Sequence, residues 1–338
     1  MNVSILGCGR WASFHAWYHA KKLKNRVLVW GRDTDSMYLD LAKTRKNEYL
    51  TLPASVKFTS DLKHAVDFAD YIIISISAQA MPEFSAKVAE LEPQGKTFVL
   101  CMKGIIDETG ERLSEVMEKA LNTPSSSLRS DDTPLQQRGI NDIVVWVGPG
   151  HAQELSKGLP NVMVVSGENP RAVNDVVTKF KSDLVKLYES TDLIGCEIGA
   201  AAKNVLGITA GILDGAGLSS LKGALMARGV YEVSRLIVAM GGQQLTAYGI
   251  SHIGDFEATL FSQNSNNRRY GENLMKKVKS TYLAEGVATA KALKLLAAKY
   301  NVEMPISEVC YKVVHEGKDP LEGLKELFLR DNLKEFRG

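Results

Sequence analysis

The sequence predicts an α/β N-terminal domain built on a doubly wound parallel sheet, followed by an all-helical C-terminal domain. Three observations predict it. Short apolar runs alternate with helical stretches through the first half of the chain. A glycine-rich turn follows the first of those runs. From about Thr191 the strand signals vanish and long helical windows take over. Alternation of this kind implies parallel strands joined by right-handed helical crossovers. The boundary is expected near residue 190, giving domains 1–190 and 191–338.

The elements follow in order. Val3–Leu6 reads as the first strand and Trp11–Lys22 as the helix after it. Arg26–Trp30 is a second strand. A longer crossover ends in the short helix Asp61–Phe68. The run Tyr71–Ile76 is apolar at almost every position, as a strand covered on both faces should be. Thr97–Cys101, Ile143–Val147 and Val162–Val165 repeat the pattern. Asn122–Gly139 is polar and rich in Ser, Pro and Asp, and reads as an exposed loop. In the second domain helices are expected over Gly195–Asp214, Leu221–Gly241, Asn273–Tyr300, Ser307–Glu316 and Leu321–Leu329.

Composition excludes several classes. A net charge of +2 on 338 residues points to neither nucleic acid nor a membrane surface. Cys8, Cys101, Cys196 and Cys310 lie far apart without metal spacing, and read as reduced thiols of a cytoplasmic protein. No leader is visible before the first strand. Ile198–Leu218 is apolar and spaces Gly207, Gly211 and Gly215 four apart, but it also carries Lys203, Asn204 and Asp214. Those groups argue for a buried functional helix and against membrane insertion. Gly and Ala in the helical domain suit a homodimer or close packing within one subunit, and both stay open.

Gly7-Cys8-Gly9-Arg10-Trp11-Ala12 follows a strand and opens a helix. It is a GxGxxA form of the dinucleotide fingerprint, so the first domain is expected to be of the Rossmann type. Gly7 permits the tight turn, Gly9 lets the backbone approach the pyrophosphate, and Ala12 allows close packing of helix on strand. The end of the second strand bears on the coenzyme. Arg32 in Trp30-Gly31-Arg32-Asp33 favours the 2′-phosphate of NADP, while the adjacent Asp33 leaves NAD open.

A carbonyl reductase needs a hydride source, a proton donor and groups that hold the carbonyl oxygen. Two lysines stand in suitable settings. Lys103 follows an apolar strand, where open sheets place ligands. Lys203 lies among alanines, glycines and aliphatics. No metal is expected. His15 and His19 are four apart but lack a third ligand, and read as surface residues.

These motifs carry a resemblance. The chain resembles the bacterial NAD(P)-dependent glycerol-3-phosphate dehydrogenases along nearly its whole length. The shared motifs are the fingerprint, Trp30-Gly-Arg32, Lys103-Gly-Ile105, Gly148-Pro149, Gly199-Ala-Ala-Ala-Lys203-Asn204, Gly211-Ile-Leu-Asp214-Gly, Arg228-Gly229, Gly254-Asp255 and Asn267-Arg268-Arg269-Tyr270-Gly271. Glu285-Gly286 and Met304-Pro305-Ile306 continue it.

The resemblance implies reduction of dihydroxyacetone phosphate to sn-glycerol 3-phosphate, for phospholipid synthesis. It implies Lys203 as the catalytic lysine, Lys103 as a contact of substrate and cofactor, and Asp255 as an acid of the site. Gly148, Asn204, Ser265, Asn267 and Arg268 are implied at the substrate. Gly7, Gly9, Arg10, Trp11, Arg32, Lys103, Ala152 and Glu285 are implied at the cofactor. Two positions depart from the family. Gly150-His151 stands where it carries a Ser or Thr and then Phe. Asn266 stands where it carries an arginine that grips phosphate, a contact Arg268 or Arg269 is expected to replace. Alternatives are a reductase of another small keto acid, ketopantoate-like or a hydroxyacid dehydrogenase, and an NAD(P)-binding paralogue with altered catalysis.

Overall fold

The computed structural model of the chain describes residues 1–122, 140–150, 152–262, 265–280, 282–330 and 335. The polar segment expected as a loop therefore lies, apart from Asn122 at the end of a helix, outside the described residues. The chain divides into two compact units. A sheet unit comprises Met1–Gly104 and Glu111–Glu197, and a helical unit comprises Ile105–Gly110 and Ile198–Gly338.

The sheet unit begins with β1 (Asn2–Leu6), α1 (Arg10–Trp17), β2 (Arg26–Trp30), α2 (Ser36–Thr44), β3 (Lys57–Thr59), α3 (Leu62–Phe68), β4 (Tyr71–Ile74), α4 (Met81–Ala89) and β5 (Thr97–Leu100). It continues with α5 (Leu113–Asn122), β6 (Asp142–Val147), α6 (Ala152–Ser156), β7 (Asn161–Gly167), α7 (Pro170–Phe180) and β8 (Val185–Ser190). The eight strands form one sheet in the order β3-β2-β1-β4-β5-β6-β7-β8. Central strands are apolar because both faces are covered: Tyr71, Ile72, Ile73 and Ile74 are all buried.

Two features of the sheet unit differ from the sequence expectation. First, the sheet is not wholly parallel, since β7 runs antiparallel to β6. Among the described residues the link between them holds the five-residue α6, too short a helix to cover the sheet and return the chain in the same sense.

Second, His15 and His19 are not surface residues: they are 1% and 0% exposed. The helix after the fingerprint carries Phe14, Trp17 and Tyr18 and is sunk into the core on more than one face. The His15 ring meets Trp146 edge-on at 4.8 Å, and the His19 ring meets Phe180 at 4.5 Å and 90°. Burial pushes the His15 imidazole down to about 3, and His19 well below its ordinary value.

The helical unit contains most of α8 (Leu193–Gly215), then α9 (Lys222–Ala239), α10 (Asp255–Phe261), α11 (Asn266–Met275), α12 (Glu285–Lys299), α13 (Pro305–His315) and α14 (Pro320–Phe328). Helix α8 is long and apolar enough to cross a membrane, yet 94% of that window is buried inside the protein. Its glycines serve packing. A Cβ at Gly211 would lie 1.8 Å from the Arg268 carbonyl oxygen, and one at Gly271 1.9 Å from that of Ile208. Helices α8 and α11 thus touch backbone to backbone through facing glycines.

The single helix expected over Asn273–Tyr300 is two, α11 and α12. Lys277 leaves helical geometry with a φ of 55°. Asn273 turns its side chain to bond Ser280 Oγ at 3.2 Å and the Tyr282 hydroxyl at 3.1 Å in the link. Ile105–Gly110 belongs to the helical unit through local contacts: Lys291 Nζ lies 3.4 Å from Asp107.

Candidate active site

In the sheet unit, Gly7 has a φ of 129°, and a Cβ there would stand 2.2 Å from the Ser75 carbonyl oxygen. Only glycine fits that turn. Gly9 caps α1, and a Cβ on it would meet nothing within 4 Å, so its open face is space a ligand can enter. No side chain caps α1 and its first turn has no acid. The residues therefore fit a dinucleotide pyrophosphate, which needs close backbone approach and N–H groups at a helix start. Ala12 is fully buried. Arg10 donates to the Tyr49 hydroxyl at 3.0 Å. Arg32 follows β2 with its side chain 71% exposed, 3.9 Å from Asp35. Asp35 caps α2 through its carboxylate.

At the end of β5, Lys103 Nζ donates to the Gly148 carbonyl at 2.7 Å and lies 5.6 Å from the Trp11 ring. Gly148 and Gly150 have φ of 135° and 146°. A Cβ at Gly150 would approach Asn161 Nδ2 to 3.2 Å and Trp11 to 3.4 Å. Glycine at 150 thus accompanies a backbone that side chains rarely adopt, and no hydroxyl stands there. Ala152 opens α6, fully buried. His151 lies outside the described residues.

In the helical unit, Lys203 projects from α8 and donates to Asp255 Oδ1 at 2.8 Å and Thr259 Oγ1 at 3.0 Å. Both ions are buried, with side chains 11% and 3% exposed. The Thr259 hydroxyl donates to the Asp255 carbonyl at 2.9 Å, so towards Lys203 it presents a lone pair. Beside them His252 is fully buried, with Nδ1 2.8 Å from the Gly199 carbonyl. Burial pushes its imidazole down to about 4.

A second chain of contacts holds Asn204. Its Oδ1 accepts from Asn267 Nδ2 at 2.9 Å, and Asn267 Oδ1 accepts from the Gly286 N–H at 2.9 Å. Gly286 permits this approach, since a Cβ there would lie 2.6 Å from the Asn204 carbonyl oxygen. Ser265 caps α11 by accepting from the Arg268 N–H. Glu285 is half-buried at the first position of α12.

Arg268, expected at a substrate phosphate, is held by groups of the fold. Its guanidinium lies 2.6 Å from Asp214 Oδ2 and donates to the Ser262 carbonyl at 3.0 Å. Lys222 takes the other Asp214 oxygen at 2.7 Å. Arg269 is exposed, its guanidinium 4.5 Å from the Tyr282 ring.

Comparison with known proteins places this geometry. The family model for the NAD-dependent glycerol-3-phosphate dehydrogenase N-terminus matches residues 2–173, and that for the C-terminus matches residues 192–325. The chain belongs to this family.

A glycerol-3-phosphate dehydrogenase (NAD(P)+) of Thermoanaerobacter sp. is 33% identical over 351 residues, covering 100% of each chain. That of Prosthecochloris aestuarii is 34% identical over 343 residues, covering 98% of each. The crystal structure of glycerol-3-phosphate dehydrogenase from Coxiella burnetii aligns with a TM-score of 0.87 at 26% identity, covering 97% of this chain and 99% of that one.

Set beside the family pattern, Asn266 spends its amide on the Leu283 carbonyl at 3.3 Å. Sequence reasoning missed Thr259, although its position four residues after Asp255 puts the two on one helical face. It also missed Lys222 and His252. Lys222 meets Asp214 across the turn between α8 and α9, and His252 meets Gly199 from 53 residues away.

Proposed function

We propose that this chain reduces dihydroxyacetone phosphate to sn-glycerol 3-phosphate, with Lys203 as the proton donor. The observation that carries the reading is the buried Lys203–Asp255–Thr259 cluster in a chain matched to the family over both domains. Reduced NAD(P), when bound, supplies the hydride. Gly7, Gly9 and the start of α1 would hold its pyrophosphate, with Arg10, Trp11, Arg32, Ala152 and Glu285 as further contacts. Exposed Arg32 suits the 2′-phosphate of NADP.

Of the three N–H bonds of the Lys203 ammonium, two are taken by Asp255 and Thr259 among the described residues. The third remains for the oxygen that becomes the C2 hydroxyl. Thr259 accepts and does not donate to the amine, so after transfer the lone pair of Lys203 is left facing the substrate side. Asp255 balances the ammonium charge before the step and fixes the amine's direction. Lys103 adds positive potential beside Gly148. Asn204, oriented by Asn267, presents its amide to the substrate. With Arg268 held by Asp214, the phosphate falls to Arg269 and the Ser265-capped start of α11.

The test follows oxidation of NADH and NADPH, in parallel, with dihydroxyacetone phosphate. Turnover is expected, with Lys203→Ala slower by about 10²–10⁴-fold. Folded protein that binds coenzyme but turns over no dihydroxyacetone phosphate would defeat the reading.

A further inference from the structure

The proposed reaction leaves one buried titratable group beside Lys203 without a task. His252 sits in a π-type turn, Ile250–Gly254, immediately before Asp255. The turn is wider than an α-helical one: the Gly254 N–H donates to the Gly249 carbonyl, five residues back, at 3.2 Å. Wide turns of this kind are frequent at functional sites. The His252 ring is fully buried and stacks on Phe256, with centroids 6.0 Å apart and planes at 15°.

Its two nitrogens are used unequally. Nδ1 lies 2.8 Å from the Gly199 carbonyl. A carbonyl only accepts, so Nδ1 carries the proton and the neutral ring has its lone pair at Nε2. Nε2 is buried and makes no hydrogen bond among the described residues. An orphaned buried nitrogen costs stability, so an apolar side chain would fill this space more cheaply. What the imidazole supplies in return is the Nδ1–H donor. Burial holds its pKa at about 4, so at neutral pH the ring sets no second cation beside the Lys203 ammonium.

The acceptor's place on α8 gives that donor its consequence. In an α-helix the carbonyl of one residue accepts from the N–H four residues on, so the Gly199 carbonyl is the one that holds the Lys203 backbone. The same two segments meet again one turn along, where Asp255 takes the Lys203 ammonium at 2.8 Å. Gly199 lets them close up, since a Cβ there would lie 2.7 Å from His252 Cβ. We propose that His252 is a positioning residue, whose Nδ1–H ties the turn to α8 and so sets the Asp255 carboxylate at the Lys203 amine. This role rests on Lys203 being the proton donor proposed above.

The test sets the donor against the bulk. His252→Asn keeps an N–H where Nδ1 stands but loses volume, and His252→Leu keeps apolar volume but has no donor. In the full chain with dihydroxyacetone phosphate and reduced coenzyme, His252→Leu is expected to lower kcat by about tenfold or more, with KM altered less than about twofold. His252→Asn should stay within about threefold of the parent kcat. Gly199→Ala, which pushes the turn off α8 from the other side, should lower kcat as His252→Leu does. A second arm needs no substrate: acetic anhydride labelling of Lys203, read by peptide mass spectrometry. It should run faster in His252→Leu and Gly199→Ala than in the parent or His252→Asn, because a loosened amine is both more accessible and less firmly held as the ammonium. A parent that labels in this way but turns over no dihydroxyacetone phosphate defeats the reductase reading and keeps the tie between turn and lysine. Labelling and kcat in His252→Leu equal to the parent overturn the proposal. So do losses that follow bulk, with His252→Asn worse than His252→Leu, or a loss confined to KM.

Discussion

The two units build their candidate sites from different materials. In the sheet unit the fingerprint is backbone: a glycine turn at Gly7, the open face of Gly9 and the uncapped start of α1. In the helical unit the site is side chains, with Lys203, Asp255 and Thr259 joined across 52 and 56 residues of sequence. A backbone site is robust to most substitutions but intolerant of a single Cβ. A buried ion pair inverts that: its packing tolerates exchange, but neither partner can be removed alone.

The largest expected effect tests the second half of that contrast. Asp255→Ala leaves the Lys203 charge buried without its counter-ion, which should cost about 3–5 kcal/mol of stability. The double variant Lys203→Met/Asp255→Leu should recover most of that stability in urea denaturation yet remain inactive. Recovery of activity together with stability would show that the pair serves the fold alone.

Next comes the glycine turn. Gly7→Ala should abolish coenzyme binding, read by quenching of tryptophan fluorescence, because its Cβ would strike the Ser75 carbonyl. The corresponding change at Gly9 meets no protein atom within 4 Å. Gly9→Ala should therefore leave stability unaltered and still weaken coenzyme. Equal losses of stability in both variants would remove the distinction between turn and ligand face.

A smaller effect separates the units by pH. His15, His19 and His252 all titrate below their ordinary value because burial disfavours the imidazolium. The unfolded chain binds protons below about pH 6.5 and the folded chain does not, so stability is full above that value. It is lost as pH falls towards about 3 for His15 and about 4 for His252. The loss is about 1.4 kcal/mol per pH unit for each imidazole. The sheet unit holds two of the three and the helical unit one, so the sheet unit should weaken about twice as steeply. All four tryptophans, Trp11, Trp17, Trp30 and Trp146, lie in the sheet unit, so their fluorescence reports it alone. Hydrogen exchange along α8 reports the other. Parallel pH slopes would overturn this reading.

The smallest effect concerns the substrate. Asn266→Arg should lower the KM for dihydroxyacetone phosphate by about tenfold or less, the worth of one charge-assisted contact near α11. An unaltered KM would mean that the phosphate lies elsewhere.

Legibility in the sequence follows the same division. The strands β1, β2, β4, β5 and β6 announced themselves as apolar runs, because a strand buried on both faces needs every position. The fingerprint was legible because each of its requirements is met within six residues. By contrast β3 and β8 were invisible. Their burial patterns are broken by exposed positions, as edge strands allow. His15 and His19 misled for a related reason: their polarity says solvent, while their position on a helix enclosed by Trp146 and Phe180 says core. Lys203 could be picked out as a lysine among small apolar residues, but the pairing of Arg268 with Asp214 could not.

By itself the sequence determined which segments are strands and helices buried in a core, where a glycine turn opens the first helix, and which lysines lie in unusual surroundings. These depend on neighbours within one or two turns of chain. Only the tertiary structure decided that Asp255 and Thr259 hold Lys203, that Asp214 claims Arg268, and that β7 runs against β6. Those outcomes rest on contacts across tens of residues, where the energy of a pair depends on burial and geometry that local pattern does not encode.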